Sequence, residues 1–125
     1  MTTHRVRTSI GTDGGSTING SGSESGTTEI NGDVTFPNGS TNVLVTLAVT
    51  VANIQSFIFL ASTDTTLKVN STGSPAPTIV LKAGRPLIWA KSDGYYTNLL
   101  ATNITPGIYV TCSDASRVQM KILTS

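Results

Sequence analysis

The sequence predicts an all-β fold: a two-sheet antiparallel sandwich or jelly roll, preceded by a flexible N-terminal arm. Three observations support this prediction. Short apolar stretches alternate with period two and are rich in Val and Thr, which suit a pleated, half-buried surface. Turn signals such as "FPNGST" and "KAGRP" recur between these stretches. No window shows the 3.6-residue period of a helix, and about eight short strands with frequent turns are typical of a sandwich.

Residues 1–28 differ in composition from the rest of the chain. Apolar residues are scarce there, and Gly and Ser dominate from Gly11 to Gly26. Such a segment buries too little surface to offset the entropy lost on ordering, so we expect a flexible Gly/Ser/Thr-rich arm. The shift near Glu29 marks the boundary of a single β-sandwich domain over residues 29–125.

Residues 29–125 read as a succession of strands. In "NVLVTLAVTV", Val43, Val45, Leu47, Val49 and Val51 share one face. "IQSFIFLAS" is apolar on both faces and predicts a central strand covered on both sides. "SRVQMKILT" alternates, with Val118, Met120 and Ile122 directed inward and Arg117, Gln119 and Lys121 outward. The remaining predicted strands are "TTLKVN", "TIVLK", "RPLIWA", "YYTNLLA" and "GIYVTC".

The stretch "RPLIWAKSDGYYTN" gathers the single Trp and two of the three Tyr. Pro86 lacks a ladder donor, so its strand should begin there or lie at a sheet edge. Trp89 favours core filling over ligand stacking. Tyr95 and Tyr96 point to opposite faces of a strand, so one of them is free to serve an interface.

Catalytic chemistry finds little support in the sequence. The only His is His4, and its place in the predicted arm argues against a preorganised Ser-His-Asp or Cys-His pair. Asp33, Asp64, Asp93 and Asp114 each lie in a turn context, which favours caps of the local backbone over paired acids. Cys112 is alone and predicts an inert thiol. We therefore expect no enzyme and no cofactor; calcium held by loop Asp and Asn stays open, although no calcium-loop motif is present.

Charge and hydropathy limit the class of partner. Eight Lys and Arg oppose seven Asp and Glu, for a net charge of +1, which gives no cationic surface for nucleic acid. One His and one Cys exclude a zinc or haem site built from these ligands. The apolar stretches fall short of the ~20 residues of a membrane helix, and "MTTHRVRTSIG" lacks the apolar region of a secretory signal. We expect synthesis in the cytoplasm.

Three segments between Ile54 and Thr124 carry a family resemblance: "IQSFIFLASTDTTLKVNS", "TIVLKAGRPLIWAKSDGYY" and "TNITPGIYVTCSDASRVQMKILT". Together they resemble small virion proteins of tailed bacteriophages. The shared pattern is a hydrophobic strand into a Ser/Thr-Asp turn, then "TLK-x-NS", "L-x-AG-x-PL-x-W" and "IYVT" before a terminal alternating strand. It covers roughly the last seventy residues and consists of structural residues, so it is more specific for fold than for role.

The resemblance implies a jelly-roll capsid decoration (cement) protein that binds the outer surface of the head shell. The implied partner is the lattice of the major capsid protein, the implied location is the virion, and homo-oligomers, with a trimer as the guess, are expected. An arm that orders on the lattice would span neighbouring subunits. The candidate interface residues are Arg5, Arg7, Ile10, Ile18, Tyr95 and Tyr96.

Two alternatives remain open. A phage tail, fibre or receptor-binding module that recognises carbohydrate would use Tyr95 or Tyr96 together with Asp93 and Asn98 at a loop end. A glycan-degrading enzyme would need two acidic side chains facing each other across a cleft. The discriminating observations are glycan binding for the first and loss of activity on Asp64→Asn and Asp93→Asn substitution for the second.

Overall fold

The structure is a computed structural model that describes residues 1–73, 76–93 and 97–125, with Asp93 described in its backbone only. The described chain forms ten strands and two short 3-10 turns, at Val51–Asn53 and Lys91–Asp93, and no α-helix. The strands are β1 Thr2–Gly11, β2 Thr17–Gly26, β3 Thr28–Phe36, β4 Ser40–Thr46, β5 Ile54–Ala61, β6 Thr65–Val69, β7 Thr78–Leu81, β8 Leu87–Ala90, β9 Gly107–Cys112 and β10 Ser116–Thr124.

The all-β prediction is confirmed, and every strand pair is antiparallel. Strands β3-β10-β5-β8 form one four-stranded sheet, and β4-β9-β6-β7 form the other. The pairs β6·β7, β5·β8, β4·β9 and β3·β10 nest one inside the next along the chain. The chain is thus one long antiparallel ribbon, folded back at β6 and β7 and rolled until β10 meets β5 and β9 meets β6.

The core lies between the two sheets of this sandwich-like body. From one sheet come Phe57, Phe59, Val118 and Ile122, and from the other come Leu67, Leu81, Ile108 and Val110, all nearly inaccessible to solvent. The inward set predicted for β10 is confirmed, since Val118, Met120 and Ile122 are buried while Arg117, Gln119 and Lys121 are exposed.

The aromatic strand β8 lies at the edge of its sheet and begins one residue after Pro86, as predicted. Trp89 is half-buried, packs against the core and stacks on Phe57 with ring centroids 5.9 Å apart. The predicted strand "YYTNLLA" is wrong over its described part. Residues 97–101 form no strand, and Asn98 Oδ1 instead accepts a hydrogen bond from the Leu100 N–H in a local turn.

Residues 2–26 differ most from the expectation. In place of an unstructured arm, β1 and β2 pair along ten residues each to form a separate two-stranded hairpin. The turn between them contains Gly14 with φ of 71°, and the Gly15 N–H donates to Thr12 O over 2.8 Å. Composition missed the hairpin because its base is held by contacts with the body that only the folded chain brings together.

Candidate functional site

The hairpin has two chemically distinct faces, since directly paired residues project to the same side and successive residues alternate. One face, which we call the anchored face, carries His4, Val6, Thr8 and Ile10 on β1 opposite Glu24, Gly22, Gly20 and Ile18 on β2. The other face carries Arg5 and Arg7 among hydroxyl side chains, with serines opposite both. The anchored face is therefore polar at its base and apolar at its tip.

At the base, the paired residues His4 and Glu24 both reach the sandwich. His4 Nδ1 lies 2.8 Å from Ser56 Oγ, and His4 Nε2 lies 2.8 Å from Glu29 Oε2. Glu24 is only 8% exposed, and its Oε1 accepts hydrogen bonds from the Ser92 hydroxyl and from the Ser92 N–H at 2.8 Å. These hydrogen bonds fix the hairpin base over one end of the sheet β3-β10-β5-β8.

The positions of the protons around His4 follow from which of the neighbouring atoms can donate and which can only accept a hydrogen bond. A carboxylate only accepts, so His4 Nε2 carries the proton toward Glu29, and in the neutral ring Nδ1 accepts from the Ser56 hydroxyl. Hydrogen bonds from Asn31 and then His4 hold the pKa of Glu29 below its ordinary value of 4.5, and the charge of Lys121 adds to this effect. Glu29 therefore stays ionised as the acceptor at neutral pH.

Ser56, His4 and Glu29 have the connectivity of a Ser-His-acid triad, and the prediction that His4 could not be preorganised beside a serine is wrong. The prediction failed because it placed His4 in a flexible segment. Nucleophilic attack needs a serine oxygen that a substrate carbonyl can approach. Ser56 is only 1% exposed, beneath the hairpin base, and moving the hairpin away would also remove His4. The geometry is that of an anchor.

At Gly26 the backbone of the hairpin lies close to the body. A Cβ added there would lie 2.5 Å from Thr124 O and 2.9 Å from Leu123 Cγ, so only glycine fits. The adjacent Thr27 N–H donates to Thr124 O over 2.9 Å. Leu123 is fully buried although it faces away from the core on β10, because the hairpin base covers it.

The tip of the hairpin is exposed to solvent. Ile10 and Ile18 are direct partners across the hairpin and are 81% and 79% exposed. The structure thus brings together two of the predicted interface residues. Arg5 and Arg7 are exposed but lie on the opposite face, and Tyr95 and Tyr96 lie outside the described residues.

A shallow groove of about 470 Å³ lies on the outer surface of strands β3, β10 and β5. We call it the outer groove, and its side chains are Asn31, Asp33, Ile58, Leu60, Gln119 and Lys121. Ile58 and Leu60 are half-buried on the side of β5 that faces away from the core. The prediction that β5 is central is confirmed, but its second face is covered only at Ser56.

The body carboxylates serve several structural roles. Asp33 lies within β3 and pairs with Arg117 through two hydrogen bonds, so the predicted turn there is wrong. Hydrogen bonds from Arg117 hold the pKa of Asp33 below 3.8. Asp64 accepts from the Ala83 N–H, which lowers the pKa of Asp64. Asp114 lies in the turn between β9 and β10 as predicted, while the side chain of Asp93 lies outside the described residues.

The described residues contain no group of three or more His, Cys, Asp or Glu side chains placed to hold a metal ion. Cys112 is buried, with Sγ 3.8 Å from Pro37 O. Within the same residues, no helix has the length and hydropathy that a bilayer crossing requires.

Sequence reasoning missed His4, Glu24 and Ser56 as a group. A signal was present: Ile18, Gly20, Gly22 and Glu24 alternate with Asn19, Ser21, Ser23 and Ser25, a period-two pattern within the Gly/Ser-rich segment. An Asp13-Gly14 turn precedes it, which is the signature of a hairpin.

Comparison with known proteins adds no relatives. No protein-family model, no curated protein and no solved structure matches this chain.

Proposed function

We propose that this chain is a non-enzymatic structural protein of a bacteriophage virion, a decoration protein that binds and stabilises the head shell. It would be made in the host cytoplasm and would act on the capsid surface. The support comes from the resemblance of residues 54–124, from the strand order of the body and from the hairpin.

The strand order supports a jelly roll. Eight strands in two four-stranded sheets, with the first and last strands of the body adjacent in one sheet, are what a rolled antiparallel ribbon produces. Jelly rolls are frequent in viral capsid and lectin domains. The fold alone does not choose between these roles, so the site must carry the functional argument.

The observation that carries the proposal is the form of the hairpin. Its base is fixed by His4, Glu24 and Gly26, while Ile10 and Ile18 at its tip are largely exposed to solvent. An isolated two-stranded ribbon is marginally stable in water and leaves both edges unpaired. Such an extension gains stability when it contacts a neighbouring subunit, which is the property a cement protein needs.

The burial of Ser56 supports a non-enzymatic role, because the one Ser-His-acid group among the described residues is closed to substrates. Stabilisation by mass action would replace turnover as the function. A protein that binds only the assembled shell raises the shell's stability in proportion to its binding.

The test is co-sedimentation with expanded phage heads that lack this protein. The full chain should sediment with heads and raise the temperature at which they release DNA. A chain lacking residues 1–26 should keep the far-UV circular dichroism of the β-sandwich and bind more weakly. Full-chain binding to a glycan array without binding to heads would overturn the proposal, and undiminished binding of the truncated chain would remove the hairpin from it.

A further inference from the structure

The outer groove is open to solvent, although two of the β5 side chains that line it are apolar and would favour burial. Ile58 and Leu60 face away from the core, yet they are apolar and only half-buried. Ser56, two residues before Ile58 on the same strand, is covered by the base of the hairpin. One half of this sheet face is therefore dry and the other half lies open.

The anchored face of the hairpin also has an apolar part that is open to solvent. Its base contacts the sheet face through His4, whereas the two isoleucines of its apolar tip are largely exposed. Ile10 lies six positions after His4, so the tip lies about 20 Å beyond the anchor at ~3.3 Å per residue. In this conformation the exposure of Ile10 and Ile18 leaves the chain's own groove unoccupied by its own tip.

We infer that the hairpin tip of one copy docks in the outer groove of a second copy, with Ile10 and Ile18 against Ile58 and Leu60. This inference deepens the attachment role proposed for the hairpin and rests on it. It commits to a second copy because the same chain supplies both open apolar surfaces, and because the anchored face already packs on this same sheet face at its base.

The flat tip and the paired charges beside the groove are compatible with this contact. Gly20 and Gly22 leave the anchored face of β2 flat beside the isoleucines, and a Cβ at Gly20 would meet only Thr8 Oγ1, at 3.6 Å. The isoleucine pair carries no charge, and the two charged pairs beside the groove are formed within the chain, at its surface. Asp33 is bonded to Arg117, and Lys121 lies 3.6 Å from Glu29. Docking therefore strands no unpaired charge against the tip.

The contact between one tip and one groove is small, and its effect depends on how many such contacts form on one shell. A hairpin tip on a shallow groove falls below the ~1,200 Å² of a stable complex, so two copies associate weakly in solution. On a shell, each copy offers one tip and one groove, so a head-to-tail contact links neighbouring copies. Many weak links on one lattice add through effective concentration.

Cross-linking between marked copies tests the contact. In a Cys112→Ala background, Ile18→Cys is placed on one copy and Leu60→Cys on a second copy of different mass. Mixing them under mild oxidation should give the disulfide-linked heterodimer. The matched control is Ser21→Cys, on the same strand but the opposite face, and its yield with Leu60→Cys should be at least tenfold lower.

Sedimentation equilibrium supplies the second measurement. The wild-type chain should self-associate with a Kd of up to roughly 1 mM. Ile10→Asp with Ile18→Asp should raise the Kd of self-association at least tenfold. The double variant should stay folded, because both side chains are exposed. Ser9→Asp with Asn19→Asp is the control, because this neighbouring pair adds the same charge on the opposite face.

A strictly monomeric wild-type chain, equal effects of the two double variants, or cross-links between tips alone would overturn the inference. Head binding without a tip-to-groove cross-link would leave the decoration role standing and refute this contact. A specific tip-to-groove cross-link in a chain that does not bind heads would support this contact and refute the decoration role.

Discussion

At the scale of single residues, the anchor depends on a carboxylate with several partners. Glu29 accepts from His4 and Asn31 and lies near Lys121, and these contacts hold the pKa of Glu29 below 4.5. The pKa of Glu29 in the folded chain is thus lower than in the unfolded chain. A group shifted in this direction contributes its full stability above the unfolded value and loses it as the pH falls through the folded value.

We therefore predict that acid loosens the hairpin. Between pH 7 and about 4.5 the hairpin base should stay fixed, and below that range protonation of Glu29 should weaken its bond to His4. NMR relaxation of the β1 and β2 amides from pH 7 to pH 3 measures the change. Glu29→Gln should show a mobile hairpin base already at pH 7. An unchanged hairpin in acid would contradict the role assigned to Glu29.

At the scale of elements, the hairpin is joined to the sheet by close backbone contact as well as by side chains. The critical point is Gly26, beside Thr124 O and the Leu123 side chain. Substituting Gly26 shows whether the close contact between the hairpin and β10, or the backbone preference of β2 itself, determines stability at this position.

We predict that Gly26→Ala lowers the free energy of unfolding by about 1–3 kcal/mol, the usual cost of overpacking. The added methyl would displace the hairpin base and lengthen the bond from Thr27 N–H to Thr124 O. Urea denaturation measures the loss. Gly20→Ala is the matched control on the same strand and face, where the new methyl meets only Thr8 Oγ1 at 3.6 Å. Equal destabilisation by the two variants would rule out the close contact as the cause.

Elements were more predictable from the sequence than their partners were. The strands around Val118, Leu67 and Trp89 follow from alternation and flanking turns, because each signal lies within a few residues of chain. The anchor was not predictable in this way. His4 and Ser56 are 52 residues apart, and nothing local to either residue indicates the other. Asp33 misled for a related reason, since its partner Arg117 is 84 residues away.

At the scale of the whole molecule, β10 joins the body together. It lies between β3 and β5, and its inward residues meet both neighbours, as Ile122 does with Ile30 and Phe57. Both sheets share one core, so loss of β10 packing removes the support of both at once.

We predict that Ile122→Ala lowers the free energy of unfolding by about 2–5 kcal/mol, a large part of the ~5–15 kcal/mol of a small domain. Unfolding should remain a single transition. Trp89 fluorescence reports on one sheet, because this ring stacks on Phe57, and circular dichroism reports on both. The two curves should coincide. Gln119→Ala, exposed on the same strand, should change stability by less than about 0.5 kcal/mol. Separate transitions for the two probes would contradict a shared core.

The position of β10 also decides when the outer groove forms during synthesis of the chain. The outer groove needs β3, β5 and β10 side by side, and β10 comprises residues 116–124. While a ribosome still holds those residues, the nascent chain has no groove, although its hairpin sequence emerged first. Such a chain has no groove to receive a neighbour's tip, so a copy can take both sides of the proposed contact only after β10 has joined β3 and β5.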